Sequence, residues 1–327
     1  MSLSPRSLNL IDKIREFLGP VGQLIPYGSQ IAGTSTGESD IDLALIVTDG
    51  YDFADLSPEA VSDIIRRACG LLRQSKVQIL NVFENAKVPM IRARYSDQNF
   101  DIVVNGSSGV ICSWLIHDML GDNRLAAKVI RTVKEWAKAN DLIGADKGRL
   151  GSHALTVFSL HYLITAGVVG LPHLENDDLG RCRTAIWTPQ ELNQYASRGA
   201  NRHGPRDNLW WLGRPRRRHS RYMPTFKQLV RGIMDRLHQG LNSRPEGRLI
   251  YSMTTRAGAP VSEVIVASTP LIYIEDPISR HNTASNLKAA PCEKLKAEVA
   301  KARAYLKQKG TVTRNITSSA AGWSRRE

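Results

Sequence analysis

Apolar residues follow two different periods along this chain, and the change from one to the other divides it. Between Leu24 and Val104 they gather in short runs, Ile41–Val47, Val77–Phe83, Met90–Tyr95 and Phe100–Val104, whose length and β-branched or aromatic content predict strands. One helix interrupts them over Ser57–Ser75, where Val61, Ile64, Ile65, Ala68 and Leu72 recur at helical spacing. From about Val110 onward the helical period takes over, in Asn123–Asn140 and Ser152–Ala166, with Gly144, Gly148 and Gly151 between them. Thr225–Leu241 aligns Leu229, Ile233, Met234 and Leu237 on one side, and Cys292–Lys309 forms a last, charged helix. Residues 171–224 are irregular and rich in Arg, Asn, Gly and Pro, which reads as an insertion. The first 21 residues predict an amphipathic helix, and residues 311–327 a polar, basic, flexible tail.

Composition narrows the class. The 327 residues are enough for two packed domains, and a hydrophobic fraction of 42% is that of a globular chain. Lys and Arg number 44 against 31 Asp and Glu, a net charge of +13 that favours a polyanionic partner, nucleic acid or an anionic membrane. Four widely spaced cysteines form no CxxC pair, which argues against a zinc site or a disulfide framework. No apolar run approaches the ~20 residues of a membrane span, so no membrane partner is expected.

The chemistry concentrates in Tyr27-Gly28-Ser29, followed by Asp40-Ile41-Asp42-Leu43. A strand alternates its faces, so Asp40 and Asp42 point one way and Ile41 and Leu43 the other, into a core. Two carboxylates so close resist ionising together, and a divalent cation with oxygen preference, Mg²⁺ or Mn²⁺, removes that penalty. Asp101, at the start of the apolar run Asp101-Ile102-Val103-Val104, supplies a third carboxylate if its strand lies beside the first. Three carboxylates can then hold two metal ions. Gly28 allows close backbone approach, and the Ser29 hydroxyl with nearby N–H groups can cradle phosphate. Ser39 is a weaker candidate for the same task. An Asp-x-Asp alone also suits a solvent-facing strand end; the later Asp and the preceding Gly-Ser make the catalytic reading.

These motifs resemble the polymerase-β nucleotidyltransferase superfamily, and within it the noncanonical poly(A) polymerases and terminal uridylyltransferases, especially the compact trypanosomal enzymes. The resemblance covers about residues 20–166 and 225–309. Val88-Pro89-Met90-Ile91-Arg92 is similar to the family's strand leading to the third carboxylate. Lys134-Glu135-Trp136-Ala137-Lys138 resembles the helix whose two lysines grip the triphosphate, and i,i+4 spacing puts both on one face; a solvated charged face is the plain alternative. In Gly151-Ser152-His153 the resemblance implies a phosphate contact for Ser152, with His153 standing where the family has a base-stacking Tyr; His153 also suits a helix start with no ligand. Cys112-Ser113 falls where relatives carry Asn-Ser against the ribose and base, so Ser113 matches and Cys112 does not. Ile274-Glu275-Asp276-Pro277 resembles the nucleotide-recognition motif, in which Asp276 accepts from uracil N3–H. Ser279 stands where trypanosomal relatives add a Glu, and His281-Asn282 is one residue early against the His-Asn pair of others: a shifted loop or a bystander.

The resemblance implies an α+β, bilobed fold. A mixed-sheet nucleotidyltransferase domain spans residues 22–113. A mainly helical domain, 114–310, carries the insertion at about 171–224, and residues 1–21 pack on the helical domain. The active site is expected in the cleft between the two. The implied reaction is uridylyl transfer from UTP to an RNA 3′-hydroxyl, with Asp40, Asp42 and Asp101 catalytic and metal-binding, and Gly28, Ser29, Ser113, Lys134, Lys138, Ser152, His153 and Asp276 binding nucleotide. Adenylyl transfer is the same chemistry with another base. A non-catalytic RNA-binding subunit and a small-molecule nucleotidyltransferase are the other readings. RNA contact is expected from the arginine-rich stretch that holds Arg214, Arg216, Arg217 and Arg218 beside Trp210 and Trp211, though that stretch equally suits a surface loop, a localisation signal or a protein-docking site. Arg92 and Arg94 suit either an RNA terminus or a salt bridge. A protein complex for RNA processing fits such an enzyme. The basic, Ser-containing start points to the mitochondrion, with the cytoplasm as the alternative.

Overall fold

In the computed structural model the described residues are 3–37, 39–47, 56–86, 88–121, 123–173, 213–216, 224–242, 248–251, 255–256, 259–260, 264–265, 271–278 and 281–308. They divide after Asp118 into two compact units. The fold class is α+β, as expected.

The first unit is a mixed five-stranded sheet. Its strands are β1 (Gln23–Tyr27), β2 (Ile41–Ile46), β3 (Gln78–Phe83), β4 (Met90–Tyr95) and β5 (Gln98–Val104), in the order β1-β2-β5-β4-β3. The β2–β5 pair is parallel; the others are antiparallel. Two helices cover one face. Helix α1 (Pro5–Leu18) starts at Ser4, whose hydroxyl accepts from Ser7 N–H, with Pro5 in the first turn, where its missing N–H costs nothing. Helix α3 (Pro58–Gln74) repeats the device with Ser57 and Pro58. Their apolar stripes, Leu10, Ile11, Ile14 and Leu18 on one and Val61, Ile64, Ile65, Ala68 and Leu72 on the other, share a core with Ile41, Leu43, Ile91, Ala93, Phe100 and Ile102. The expected packing of residues 1–21 on the helical domain is therefore corrected: α1 belongs to the sheet's own core, because its stripe matches the apolar face that alternation gives β2, β4 and β5.

The other face of the sheet receives α4 (Ser107–Leu120), a helix apolar all round. It approaches so closely that a Cβ on Gly106 would lie 3.1 Å from Val103, and one on Gly109 would lie 2.9 Å from the Tyr27 ring. Asn105, fully buried with φ at 45°, ends β5. Its N–H donates to Leu45 O at 2.8 Å and its Oδ1 accepts from Val47 N–H at 2.8 Å, tying the end of β5 to β2.

The second unit is mainly helical: α5 (Arg124–Ala139), α6 (Ser152–Thr165), α7 (Phe226–Asn242) and α8 (Ala289–Gln308). Asn123 caps α5 by accepting from Ala126 N–H. Short strands accompany the helices. Strands β6 (Leu171–His173) and β7 (Gly213–Arg216) pair, as do β9 (Thr255–Arg256) and β10 (Ala259–Pro260). Strand β8 (Arg248–Tyr251) lies between β11 (Val264–Ile265) and β12 (Tyr273–Ile274). Helix α6 buries most of its length, including His161, whose ring meets Tyr251 edge-on at 5.4 Å. No helix among the described residues is long and apolar enough to cross a membrane.

Candidate active site

The site of the first unit follows from strand register. Across the sheet, Tyr27 pairs with Asp42, Asp42 with Asp101, Asp101 with Arg92, and Arg92 with Asn81. Direct partners in a ladder share a face, so this is one polar row on the face opposite the α1–α3 core. Asp42 and Asp101 are neighbours on parallel strands, the arrangement expected from the sequence. Asp40 lies just before β2, exposed, on the same side by alternation. Asp42 is half-buried and Asp101 buried.

The side chains add a feature the sequence left open. Arg92 grips Asp101 with a two-pronged contact, Nε donating to Oδ1 and Nη2 to Oδ2, both at 2.9 Å. Of the two readings of Arg92, the salt bridge is the one present. Among the described residues the oxygens of Asp40, Asp42 and Asp101 do not all lie within 4.8 Å of one another. Arg92, on the far side of β5 from β2, engages both Asp101 oxygens. The donor set still suits a hard divalent ion: three carboxylates on one face of two adjacent strands, two of them in direct register.

Gly28 has a different use from the one expected. Its φ is +77°, and a Cβ there would fall 1.8 Å from Asp42 Oδ2. The glycine therefore makes room for the Asp42 carboxylate. Its N–H does not face outward to a phosphate but donates to Ser113 Oγ at 2.8 Å, while Ser113 donates to Gly109 O at 2.7 Å. Ser113 is buried and ties α4 to the Gly28 turn. Ser29 follows in the four-residue helix α2 (Gly28–Ile31), half-buried. Ser39 holds its own turn, accepting from Thr36 N–H at 2.9 Å.

In the second unit, Lys134 and Lys138 lie one turn apart on α5, but Lys134 is buried and Lys138 exposed. Ser152 opens α6, and its carbonyl accepts from the Thr156 hydroxyl at 3.0 Å. His153 and Asp276, far apart in sequence, meet: His153 Nε2 and Asp276 Oδ2 are 2.7 Å apart. Asp276 is buried, its Oδ1 accepts from Ile278 N–H at 2.9 Å and its N–H donates to His281 O at 2.9 Å. Asn282 builds the turn. Its Oδ1 accepts from Ile274 and Ala284 N–H at 3.0 Å each, and its Nδ2 donates to Ile272 O at 3.1 Å. Arg214 and Arg216 lie in β7, with side chains outside the described set; Arg217, Arg218, Trp210, Trp211 and Ser279 fall outside the described residues altogether.

Sequence reasoning missed Asn105, Gly109 and the Ser113–Gly28 tether. The signal was there in Asn105-Gly106-Ser107, a turn-forming run directly after an apolar strand and before a helix.

The sheet thus carries two carboxylates in direct register beside a Gly-Ser turn. Residues 6–118 match the family model of the central palm domain of poly(A) RNA polymerase, mitochondrial-like. Poly(A) RNA polymerase GLD2 of Danio rerio is 27% identical over 161 residues, 48% of this chain and 32% of that protein. The GLD2 of Xenopus tropicalis is 28% identical over 192 residues, 55% of this chain and 35% of its own. The chain thus spans about a third of the length of the curated relatives it matches. Among solved structures, Cid1 in complex with its short product ApU aligns with a TM-score of 0.64 at 15% identity, over 94% of this chain and 88% of that one. A cytoplasmic RNA terminal U-transferase aligns at 0.63 and 15% identity, over 97% and 91%. At such identity the likeness is one of fold. The palm-domain match over residues 6–118, the poly(A) RNA polymerase relatives and the fold neighbours together support a noncanonical poly(A)/poly(U) polymerase family.

Proposed function

We propose that this protein is a template-independent RNA 3′-terminal nucleotidyltransferase that transfers UMP from UTP, releasing pyrophosphate. The observation that carries the reading is the parallel register of Asp42 with Asp101, with Asp40 two residues before on the same face. Asp40, Asp42 and Asp101 would hold Mg²⁺ or Mn²⁺. When bound, such ions neutralise phosphate charge and acidify the attacking hydroxyl. Asp101 is assigned by resemblance to help accept the RNA 3′-hydroxyl proton as the oxygen attacks the α-phosphate. Ser29, Lys134, Lys138 and Ser152 are assigned to the triphosphate by resemblance, and His153 with Asp276 to the base. RNA is assigned to the basic stretch that includes Arg214, Arg216, Arg217 and Arg218, and mitochondrial action accords with the wording of the family model.

UTP is supported by the fold neighbours, described as a poly(U) polymerase and a terminal U-transferase, and by Asp276 as an acceptor for uracil N3–H. The second reading, ATP, is favoured by the sequence relatives, which are named poly(A) RNA polymerases. A single-stranded RNA primer offered each nucleoside triphosphate separately, with Mg²⁺ or Mn²⁺, decides. Longer products with UTP are expected; longer products with ATP give the enzyme to the second reading. No extension with any triphosphate from an RNA-binding protein leaves a non-catalytic subunit.

A further inference from the structure

The Arg92–Asp101 contact is more than a brace. Both carboxylate oxygens of Asp101 accept from one guanidinium at 2.9 Å, the strong, charge-assisted, planar form of this pairing. Arg92 is held in place from a second side, with its Cζ 5.8 Å from the centroid of the Phe83 ring. The Asp101 side chain is 11% exposed and that of Arg92 42%, so the carboxylate is sheltered while solvent reaches the guanidinium and screens its charge. Asp101 is also the carboxylate in direct register with Asp42. Any cation drawn to this pair meets a fixed positive charge on the same side chain.

We propose that Arg92 is a positioning residue that competes with the divalent cation for Asp101 and thereby sets the cation affinity of the site. The inference rests on the metal-binding reading of the three aspartates given above. A carboxylate has enough lone pairs to serve two partners at once, but the charge of the guanidinium still opposes a cation on the same group. Binding therefore requires Asp101 to turn from Arg92 or to share its charge, and either one weakens the cation. Loose binding of the free protein is the result, with tight binding left to the moment when a triphosphate brings its own negative charge. The RNA-contact reading of Arg92 is set aside, since its fork is on Asp101.

The test is Mn²⁺ binding to the full chain, followed by electron paramagnetic resonance without nucleotide or RNA. Arg92→Gln is expected to tighten Mn²⁺ by about tenfold, the effect of removing one unit charge beside a divalent cation in a water-like dielectric. Arg92→Lys keeps the charge and loses the fork, so it should tighten Mn²⁺ by less and in the same direction. Should Arg92→Gln fail to fold by circular dichroism, Arg92→Lys carries the test alone. Unchanged or weakened Mn²⁺ binding in folded Arg92 variants, with Asp101→Asn weakening it, overturns the role of Arg92 and leaves the metal site standing. Unweakened binding in Asp101→Asn overturns the metal site itself, and the proposal with it.

Discussion

Asp42 and Asp101 occupy the same level of two neighbouring parallel strands, so the sheet itself forces two like charges together. Function and stability should then part company on substitution. Asp42→Asn or Asp101→Asn is expected to lower turnover by about a thousandfold or more, the several kcal/mol that metal-assisted charge stabilisation supplies. Asp42→Asn should meanwhile keep or raise the melting temperature, because one of two repelling charges is gone. Primer extension and differential scanning calorimetry on the same preparation check both. A loss of stability in step with activity would make Asp42 a structural residue.

Gly28→Ala is expected to damage the site from behind. The left-handed φ penalises any side chain, and the new methyl would occupy the space of the Asp42 carboxylate. A cost of about 1–3 kcal/mol in urea unfolding is expected from backbone strain, together with loss of primer extension. An alanine variant with native stability and activity would show that the turn relaxes without moving Asp42.

His161 predicts a pH dependence of folding. Its ring is fully buried and neither nitrogen has a hydrogen-bond partner among the described residues. Burial first, and the Arg236 guanidinium second, push it down to about 4. The unfolded chain, with an ordinary imidazole near 6.5, binds the proton more readily as pH falls. Stability from this group is therefore present in full above about pH 6.5 and is lost as pH falls toward 4, reaching about 3 kcal/mol in total. Urea midpoints at neutral and mildly acid pH should show it, and His161→Gln should flatten the difference. An equal slope in both proteins would assign the acid sensitivity elsewhere.

His153 and Asp276 should act as a unit. Their 2.7 Å contact predicts that alanine substitutions at the two positions are not additive in kcat/KM for UTP. A double-mutant cycle is expected to show a coupling of at least about 1 kcal/mol. Asp276→Ala alone should shift the ratio of UTP to ATP use. Additive effects would mean that the pair does not persist in the working enzyme.

How far the sequence foretold this structure depended on whether a feature was local or relational. The aspartate row was legible because strand alternation is a local rule: Ile41, Asp42 and Leu43 announce their faces without help from the rest of the chain. The stripes of α1 and α3 were legible for the same reason. Which body α1 would join was not, since its stripe of Leu10, Ile11, Ile14 and Leu18 says that it is buried and not against what. The Arg92 fork, the Ser113 tether and the His153–Asp276 bond each join residues through tertiary structure. Their residue types admit several partners, and only register or loop closure selects one. Strand β1 was also missed as an element, because Pro26 and the Gly28 turn disguise its short apolar run.

Asn105 has a consequence for how this sequence can vary. It fastens the end of β5 to β2 beyond the acidic row, so the count of residues from Asp101 to Asn105 is set by the matching count along β2. Removing or adding a single residue inside that interval would either turn the following apolar side chains and Asn105 to the wrong faces, leaving the latch without its slot, or, with the latch held, drive the Asp101 carboxylate into the oily side of the sheet. Length changes should therefore be tolerated in the turns at either end and nowhere between, giving the two strands a shared ruler that drift in sequence must respect.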